Sequence, residues 1–364
     1  MKILHTIGSL SKGGAEKQCR LLMDQHAKLG HEIGVIYFYD NHDITKNSKI
    51  NYFQIKRGSR FNLINLFYQI KIIIKEFNPD VVHNWLPEII TIPASIISKY
   101  YNIPSISSQR RVLQRNADFF DRIRDYFILV NHLISDKVIC NFDFSLENRF
   151  TKKVIKQKKG AVIYNGFIFN GPNKTEDFDF LDDNAIKLLF VGRLVAQKNI
   201  DILLKSVFLL KSKGHDVQLV IFGEGKLKKE LKKQSIKLGL SNKEVIFAGY
   251  VSNWHGYVCN FDLFIFPTNA EGMPNVLIEA MNLRIATIAS SIPEISGIFN
   301  HSEHVHLVKN VNSSSLAESI EYVYSDFDYK NQLIENAHDR IKKFTVESMA
   351  NSFLECYQLL SNKL

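Results

Sequence analysis

The sequence predicts an α/β protein with two domains, each built on a parallel β-sheet covered by helices. Three observations support this prediction. Short apolar runs alternate with amphipathic stretches from end to end, which is typical of parallel sheets covered on both faces. The 364 residues are enough for two domains, and a hydrophobic content of 45% can fill two cores. Residues 170–184 are polar, acidic and rich in turn formers, which predicts a linker between the domains.

The predicted elements follow one another in a regular order. In the N-terminal domain, residues 1–169, the predicted strands are 2–7, 32–38, 52–56, 80–85, 105–108, 137–140 and 161–164, and the predicted helices are 15–29, 63–77 and 88–100. In the C-terminal domain, residues 185–345, strands are predicted near 188, 217, 245, 263 and 285, and the chain is helical from residue 312.

Composition excludes several classes of protein. No apolar stretch is long enough to span a bilayer, and the first residues are interrupted too soon for a secretory signal. The four cysteines (Cys19, Cys140, Cys259 and Cys356) are scattered without metal or redox spacing, so we expect core thiols in a reducing cytoplasm. The net charge of +9 comes without a recognised nucleic-acid-binding module, so no nucleic-acid partner is expected.

Two basic segments account for part of this charge. Residues 225–239 place leucines at helical spacing with lysines between them, which indicates a helix whose charged face is solvated. Residues 110–127 interleave Arg111, Arg115, Arg122 and Arg124 with aromatic and aliphatic side chains. This composition suits an interfacial helix on an anionic membrane surface, and it equally suits a helix with its aromatics on the sheet and its arginines in water.

The most informative motif is the run 271–279, Glu-Gly-Met-Pro-Asn-Val-Leu-Ile-Glu. The apolar run 261–267 before it has the length of a buried strand, and the segment after Asn275 favours a helix. Glu271 therefore lies in a strand-to-helix loop and Glu279 about one turn inside the helix. Ligands of open α/β sheets bind at this edge, and the helix start offers free N–H groups to a phosphate. The two acids beside a phosphate cradle suggest a ligand that is half sugar and half phosphate.

Residues 188–204 repeat the strand–loop–helix pattern, and their loop carries Arg193 and Lys198. Five motifs then stand in order: Gly-Gly-Ala-Glu at 13–16, Asn165-Gly166, Gly192-Arg193-Leu194 with Lys198-Asn199, Phe-Gly-Glu-Gly at 222–225, and 271–279. Here the sequence resembles glycosyltransferase family 4 over essentially the whole chain. The resemblance implies the GT-B fold, with two Rossmann-like parallel-sheet domains facing a cleft, and a retaining reaction on a sugar nucleotide. It also implies that the final helix, 346–364, packs back onto the N-terminal domain.

The resemblance implies a role for each motif residue. Arg193 and Lys198 would hold the donor diphosphate, Glu279 the ribose hydroxyls, and Glu271 the donor sugar. The glycines Gly13 and Gly14 would let the backbone of the N-terminal domain approach the phosphate closely. Further donor contacts are expected from Gly192, Gly272, Met273, Asn275 and Val276.

The sequence departs from the family pattern at two places. Many members carry a histidine after the strand that ends near residue 108, whereas this chain has Gln109-Arg110, which makes Arg110 a catalytic candidate. His83 is a possible sugar contact, although a hydrogen-bonded core histidine is an equal alternative. The usual Gly-Gly before Pro-Glu is also absent from 289–294, Ala-Ser-Ser-Ile-Pro-Glu, in a loop that would border the acceptor.

No metal or other cofactor is expected. Asp177 and Asp179 form a D-x-D pattern but fall in the predicted linker, and His301, His304 and His306 have no third ligand placed at an open site. The cationic charge would come from Arg193 and Lys198 instead.

We therefore expect a retaining glycosyltransferase that moves a sugar, preferably from a UDP-sugar, to a hydroxyl of a lipid-linked saccharide in surface polysaccharide biosynthesis. It would be cytoplasmic, and peripheral on the inner face of the membrane if the segment 110–127 binds lipid. Three alternatives remain: a sugar-nucleotide epimerase or a phosphorylase of the same fold, or a catalytically silent GT-B partner subunit.

Overall fold

The chain divides into two compact units. Unit 1 comprises Met1–Ile168 together with Phe344–Leu364, and unit 2 comprises Phe169–Lys343. The predicted domains were residues 1–169 and 185–345, with a linker at 170–184 and a final helix at 346–364. The computed structural model describes residues 1–10, 13–39, 46–56, 62–86, 89–110, 119–143, 147, 149–158, 160–169, 176, 178 and 181–361; at 119–122, 124 and 149 it describes the backbone alone.

Unit 1 is built on a seven-stranded parallel sheet. Its strands are β1 (Lys2–Thr6), β2 (Glu32–Tyr37), β3 (Ile50–Gln54), β4 (Val81–Asn84), β5 (Ser105–Gln109), β6 (Lys137–Cys140) and β7 (Ala161–Val162), in the spatial order β3-β2-β1-β4-β5-β6-β7. Its helices are α1 (Gly14–Lys28), α2 (Leu63–Phe77), α3 (Thr91–Tyr100), α4 (Phe119–Ile134), α5 (Arg149–Gln157) and α12 (Val346–Ser361).

The sheet of unit 1 is covered on both faces. Residues of α1 and α12 pack together on one face, where Leu22, Phe353 and Tyr357 are fully buried. Residues of α2 and α3 cover the other face, with Ile70 and Ala94 in its core. The C-terminal helix thus completes the core of unit 1, which explains why a segment so distant in sequence belongs to this unit.

Unit 2 has a six-stranded parallel sheet. Its strands are β8 (Ile186–Val191), β9 (Val217–Phe222), β10 (Val245–Gly249), β11 (Leu263–Phe266), β12 (Ala286–Ser290) and β13 (His306–Val308), in the order β10-β9-β8-β11-β12-β13. Its helices are α6 (Ile200–Ser212), α7 (Lys228–Lys237), α8 (Asn275–Asn282), α9 (Pro293–Ser296), α10 (Ser313–Ser325) and α11 (Phe327–Ile341), with 3-10 turns at Ala196–Lys198 and Trp254–Asn260.

Strand β8 lies at the topological switch point of unit 2. The chain proceeds from β8 to β9 and β10 in one direction and then returns to place β11 on the other side of β8. At such a point the loops that follow the two adjacent strands diverge, and this leaves a crevice at the carboxyl edge of the sheet. The loops after β8 and β11 are those that carry Arg193, Lys198 and Glu271.

The segment predicted as a linker is partly packed on unit 2. The backbone N–H of Glu176 donates to the carbonyl of Gly256 at 2.9 Å, and Phe178 lies against Phe222, Tyr257 and Phe261. The described residues of 170–184 therefore belong to unit 2, because their aromatic and backbone groups find partners there.

The helical segment predicted around 110–127 differs from the observed helix. Helix α4 begins at Phe119, and Arg111 and Arg115 lie outside the described residues, as do the side chains of Arg122 and Arg124. The three-residue strand β13 was not among the predicted strands, because its apolar run is too short to be recognised. None of the described helices combines the length and the apolar character needed to cross a bilayer.

Candidate functional site

The loops after β8 and β11 are joined by hydrogen bonds at the switch point of unit 2. The side-chain amide of Asn199 donates to the carbonyl of Pro267 at 2.8 Å, and the backbone N–H of Asn269 donates to the carbonyl of Gln197 at 2.9 Å. The amide of Gln197 donates in turn to the carbonyl of Ala270. The two loops therefore form one structure, and their side chains have fixed relative positions.

The central feature of this structure is an ion pair between Lys198 and Glu271. The Lys198 ammonium donates to Oε1 of Glu271, which also accepts from the Thr268 hydroxyl at 2.9 Å. The two charged side chains keep only 11% and 14% of their surface exposed. Nζ of Lys198 lies 4.5 Å from the centroid of the Phe266 ring, a cation–π contact. Lys198 thus lies beneath the surface, held by a carboxylate and an aromatic ring.

Arg193 differs from Lys198 in being exposed, and it has no ion-pair partner among the described residues. Its neighbour Leu194 is buried and anchors the loop: the Leu194 N–H donates to the carbonyl of Glu224 at 2.9 Å, and its carbonyl accepts from the N–H of Leu227 at 3.1 Å. Within the described part of the chain no carboxylate pairs with Arg193. The guanidinium is therefore available to an anionic ligand while its backbone is fixed.

Two glycines after β9 allow this loop to pack closely. A Cβ on Gly223 would lie 1.9 Å from the carbonyl oxygen of Gly192, and a Cβ on Gly225 would lie 2.4 Å from that of Leu194. No side chain fits at these distances, so glycine is required at both positions. The motif Phe-Gly-Glu-Gly at 222–225 thus supports the loop of Arg193 from behind.

Helix α8 carries the second glutamate of the 271–279 motif. Glu279 has 15% of its side chain exposed, and its Oε2 lies 3.6 Å from Nε2 of His255. His255 stacks on Trp254 with ring centroids 4.3 Å apart. Before α8, Met273 is buried, whereas Asn275 and Val276 at its start are partly exposed. The sequence analysis did not single out His255, because it lies in a 3-10 turn with no recognisable motif.

Glu294, the glutamate of the Pro-Glu pair noted in the sequence, lies at the start of α9 after β12. Only 9% of this glutamate is exposed. Burial and the nearby Glu271 carboxylate raise the pKa of Glu294 above the ordinary range of a glutamate. Glu294 therefore lies near Glu271, at the carboxyl edge of the same sheet.

In unit 1, the predicted glycines stand at the start of α1, beyond the carboxyl end of β1. The helix begins at Gly14, and Gly13 is its N-cap residue, without a side-chain cap. A Cβ on Gly13 would lie 2.2 Å from a carboxylate oxygen of Glu16, so the Glu16 side chain folds back against this glycine. The acidic group lies at the positive end of the helix dipole, the position in which an anion is favoured.

Arg110 follows β5 at the same edge of the unit 1 sheet. Its guanidinium carbon lies 4.3 Å from the centroid of the Trp85 ring, and Nη1 donates to Oδ1 of Asn165 at 2.9 Å. Nη2 lies 3.4 Å from the hydroxyl of Ser108, and Nε is buried without a partner. Burial lowers the pKa of Arg110 to about 10, so it stays protonated at neutral pH. Its partners in the described residues are all neutral.

His83 is a core residue, which corrects the prediction of a sugar contact. It is fully buried, with Nδ1 2.7 Å from the hydroxyl of Tyr357 and Nε2 2.7 Å from that of Ser108. Its ring stacks on Trp85 with centroids 4.8 Å apart. Burial lowers the pKa of His83 well below its ordinary value, so it is neutral and both ring nitrogens are already engaged.

No group of three or more metal-ligating side chains is present among the residues that the structure describes. Asp177 and Asp179 lie outside them. His301 and His304 use Nδ1 to accept backbone N–H groups at 3.0 Å, and Nδ1 of His306 lies 3.1 Å from the Tyr329 hydroxyl. These three histidines thus have structural partners within unit 2.

Comparison with known proteins identifies the family. Residues 12–168 match the model of Glycosyltransferase Family 4, and residues 173–340 match that of Glycosyl transferases group 1. The chain belongs to glycosyltransferase family 4. Its two parallel-sheet units constitute a GT-B fold.

Curated relatives of this glycosyltransferase span most of its length. It is 24% identical to the capsular polysaccharide biosynthesis glycosyltransferase CapM of Staphylococcus aureus, over 80% of this chain and 83% of the relative. It is 27% identical to a Campylobacter jejuni enzyme over 100% of this chain and 99% of the relative; that protein is named an α-1,4-N-acetyl-D-galactosaminyltransferase acting on a diphospho-undecaprenol-linked saccharide.

A solved structure matches the glycosyltransferase as a whole. Anabaena Alr3699/HepE in complex with UDP-glucose superposes with a TM-score of 0.80 at 20% identity, covering 98% of this chain and 99% of that chain. At this identity the likeness concerns the fold.

Proposed function

We propose that this glycosyltransferase transfers a sugar from a UDP-sugar, with retention, to a hydroxyl of a lipid-linked saccharide in the biosynthesis of a surface polysaccharide. The observation that carries the proposal is the junction of Lys198 and Glu271 at the switch point of unit 2, beside the uncommitted Arg193. An ion pair of a lysine and a glutamate, placed between the ends of two strands, suits a ligand in which a diphosphate is joined to a sugar.

Each donor group has a candidate partner in unit 2. Arg193 offers a bidentate contact to phosphate oxygens, and Lys198 a point charge once its bond to Glu271 opens or is shared. Glu279 accepts from the ribose hydroxyls, and Glu271 faces the donor sugar. The UDP-glucose complex of HepE supports a uridine nucleotide as the first donor to test.

The chemistry requires negative charge on the leaving diphosphate to be stabilised. As the bond between the anomeric carbon and the phosphate oxygen breaks, charge grows on that oxygen, so fixed cations stabilise the transition state more than the ground state. The acceptor hydroxyl attacks on the face from which the diphosphate departs, and its proton passes to the leaving phosphate oxygen. Arg193 and Lys198 supply the positive charge that a metal ion supplies elsewhere, so we expect activity without added metal.

The acceptor half of the proposal rests on the relatives and on unit 1. CapM is named for capsular polysaccharide, and the Campylobacter relative for a saccharide on diphospho-undecaprenol. A lipid-linked acceptor places the enzyme at the inner face of the membrane. On α4, Ile123 and Tyr126 are exposed at 41% and 67%, a composition compatible with contact with an interface.

Vesicle binding tests the membrane part of the proposal. Protein should co-sediment with anionic vesicles at low salt, because each basic residue near such a surface contributes about 1 kcal/mol. The double variant Arg122→Glu with Arg124→Glu should lose most of this binding, and high salt should weaken it. Equal recovery with neutral and anionic vesicles at low salt would contradict membrane docking.

A nucleotide screen followed by donor hydrolysis tests the enzyme itself. UDP should raise the Tm more than GDP or UMP, and the matching UDP-sugar should be hydrolysed slowly without an acceptor. An epimerase would convert the sugar nucleotide without releasing UDP, a phosphorylase would require phosphate, and a silent subunit would leave every donor intact. Any of these three results would replace the proposal.

A further inference from the structure

Thr268, in the loop after β11, carries a hydroxyl that is buried beside Glu271. Only 1% of Thr268 is exposed. Its hydroxyl lies within hydrogen-bond distance of three oxygens: Oε1 of Glu271 at 2.9 Å, the carbonyl of Ala270 at 3.1 Å and the carbonyl of Gln197 at 3.2 Å. A hydroxyl has a single hydrogen to donate, so these three acceptors compete for it.

The two carbonyl oxygens already have other donors. The Gln197 carbonyl accepts from the backbone N–H of Asn269 at 2.9 Å, and the Ala270 carbonyl accepts from the side-chain amide of Gln197. Oε1 of Glu271 is the nearest of the three acceptors, and hydrogen bonds to a carboxylate are about twice as strong as those to a neutral group. The hydrogen of the Thr268 hydroxyl is therefore directed to Glu271.

The Glu271 carboxylate is held at one of its two oxygens. The Thr268 hydroxyl and the Lys198 ammonium both donate to Oε1. Oε2 has no hydrogen-bond partner among the described residues, and the side chain keeps 14% of its surface exposed. Oε2 is thus the oxygen left for a ligand hydroxyl, and the bonds at Oε1 set the direction in which it points.

The two donors to Oε1 differ in how firmly they are held. Lys198 has a long, flexible side chain, and a bound diphosphate competes with Glu271 for its charge. Thr268 is buried, and a β-branched side chain has little freedom of rotation about χ1. When Lys198 turns toward a diphosphate, Thr268 is the donor that stays on Oε1.

We propose that Thr268 is a positioning residue for sugar transfer, which orients the Glu271 carboxylate by its hydrogen bond to Oε1. The inference rests on the proposed role of Glu271 toward the donor sugar. Thr268 itself touches no substrate in this account. It should therefore affect turnover through Glu271 and leave the binding of UDP unchanged.

Two variants separate the hydrogen bond from the space that the side chain fills. Thr268→Val has nearly the same shape without the hydroxyl, and Thr268→Ser keeps the hydroxyl. A hydrogen bond to a charged group is worth roughly a 10- to 100-fold effect, so we expect Thr268→Val to lower kcat by about this factor. The Kd for UDP should stay within about twofold of wild type, and Thr268→Ser should retain kcat within about threefold.

Thr287→Val is the matched control. Thr287 lies in β12 of the same unit and is also 1% exposed, but its hydroxyl has no hydrogen-bond partner among the described residues. The substitution therefore makes the same chemical change in an equally buried position without removing a hydrogen bond. It should leave both kcat and the Kd for UDP unchanged.

The decisive measurement is a double-mutant cycle with Glu271→Ala, in which kcat is followed by the release of UDP. If Thr268 acts through the Glu271 carboxylate, adding Thr268→Val to Glu271→Ala should lower kcat less than about twofold, because the group that it positions is absent.

The same full loss in the Glu271→Ala background would overturn the inference, as would equal losses in the Ser and Val variants. If Thr268→Val does not fold, Thr268→Ala takes its place in the cycle with the same expected outcomes. A wild-type turnover in Glu271→Ala alone would instead contradict the role proposed for Glu271. The two failures are thus distinguishable.

Discussion

Lys198 and Arg110, which lie at the carboxyl edges of the two sheets, have opposite surroundings. In unit 2, Lys198 is buried against the Glu271 carboxylate and the Phe266 ring. In unit 1, Arg110 lies over the Trp85 ring with neutral side chains as its described partners. The first arrangement pairs a cation with a carboxylate in advance, and the second holds a cation that has no carboxylate partner among the described residues.

The difference has a physical consequence for ligands. A paired cation must exchange part of its bond when a diphosphate arrives, so its contribution depends on how well the ligand replaces the carboxylate. An uncompensated guanidinium attracts an anion without such an exchange. We therefore expect substitution of the cations in unit 2 to affect catalysis most strongly. The effect of substituting Arg110 should depend more on its buried surroundings.

The largest effect should come from removing the buried cation of unit 2. Lys198→Ala should lower turnover roughly 10²–10³-fold, as expected for the loss of one preorganised electrostatic contact. Steady-state kinetics with a UDP-sugar measures this loss. Lys228→Ala, which removes a lysine paired with Glu224 in the same unit, is the control and should retain wild-type turnover. Turnover within threefold of wild type in Lys198→Ala would place the critical cation elsewhere.

A smaller effect should appear as a difference between the units in how much folding stability each loses as the pH falls. Burial lowers the pKa of His5 to about 3, of His26 to about 4 and of His132 to about 3, all in unit 1. In unit 2, burial lowers the pKa of His306 to about 4. The unfolded state binds protons below pH 6.5 while these folded-state histidines remain neutral, so each removes up to about 1.4 kcal/mol of stability per pH unit as the pH falls from 6.5 toward 4.

Hydrogen exchange can measure this difference in stability. Between pH 7 and pH 5, amides of β1 and β4 in unit 1 should lose more protection free energy than amides of β8 and β9 in unit 2, after correction for intrinsic exchange. Equal losses in both units would show that the buried histidines of unit 1 do not remain neutral as the geometry requires.

The smallest effect should distinguish the two acids of the 271–279 motif. Glu279→Ala should weaken UDP binding roughly tenfold at nearly unchanged kcat, because ribose contacts are made alike in ground and transition states. Glu271→Ala should leave UDP binding almost unchanged and lower kcat. Calorimetric titration with UDP and steady-state kinetics measure the two quantities, and the reverse pattern would mean that the roles are exchanged.

The sequence predicted the local structure of unit 2 well because that structure depends on short-range order. Lys198 and Glu271 each lie within ten residues of an apolar strand, and the loops after parallel strands of one sheet share its carboxyl edge.

In unit 1 the surroundings of the candidate residues could not be predicted from the sequence, because the residues in contact are distant along the chain. His83 is a core histidine on account of Tyr357, which lies 274 residues further along the chain on the final helix. Arg110 could be selected as a candidate, but its stacking on Trp85 and its bond to Asn165 depend on how β4, β5 and β7 are assembled. Residue spacing contains no information about such contacts.

The most direct test of the account is a calorimetric titration of UDP in the presence of EDTA. UDP carries the charge that develops on the leaving group, so it should bind wild type at one site per chain without metal. Arg193→Ala should weaken this binding roughly 10- to 100-fold, as for the loss of a hydrogen bond to a charged group worth about 1.5–3 kcal/mol. UDP binding that requires added Mg²⁺ or Mn²⁺, or that is unchanged in Arg193→Ala, would contradict the central claim that the cations of unit 2 hold the diphosphate.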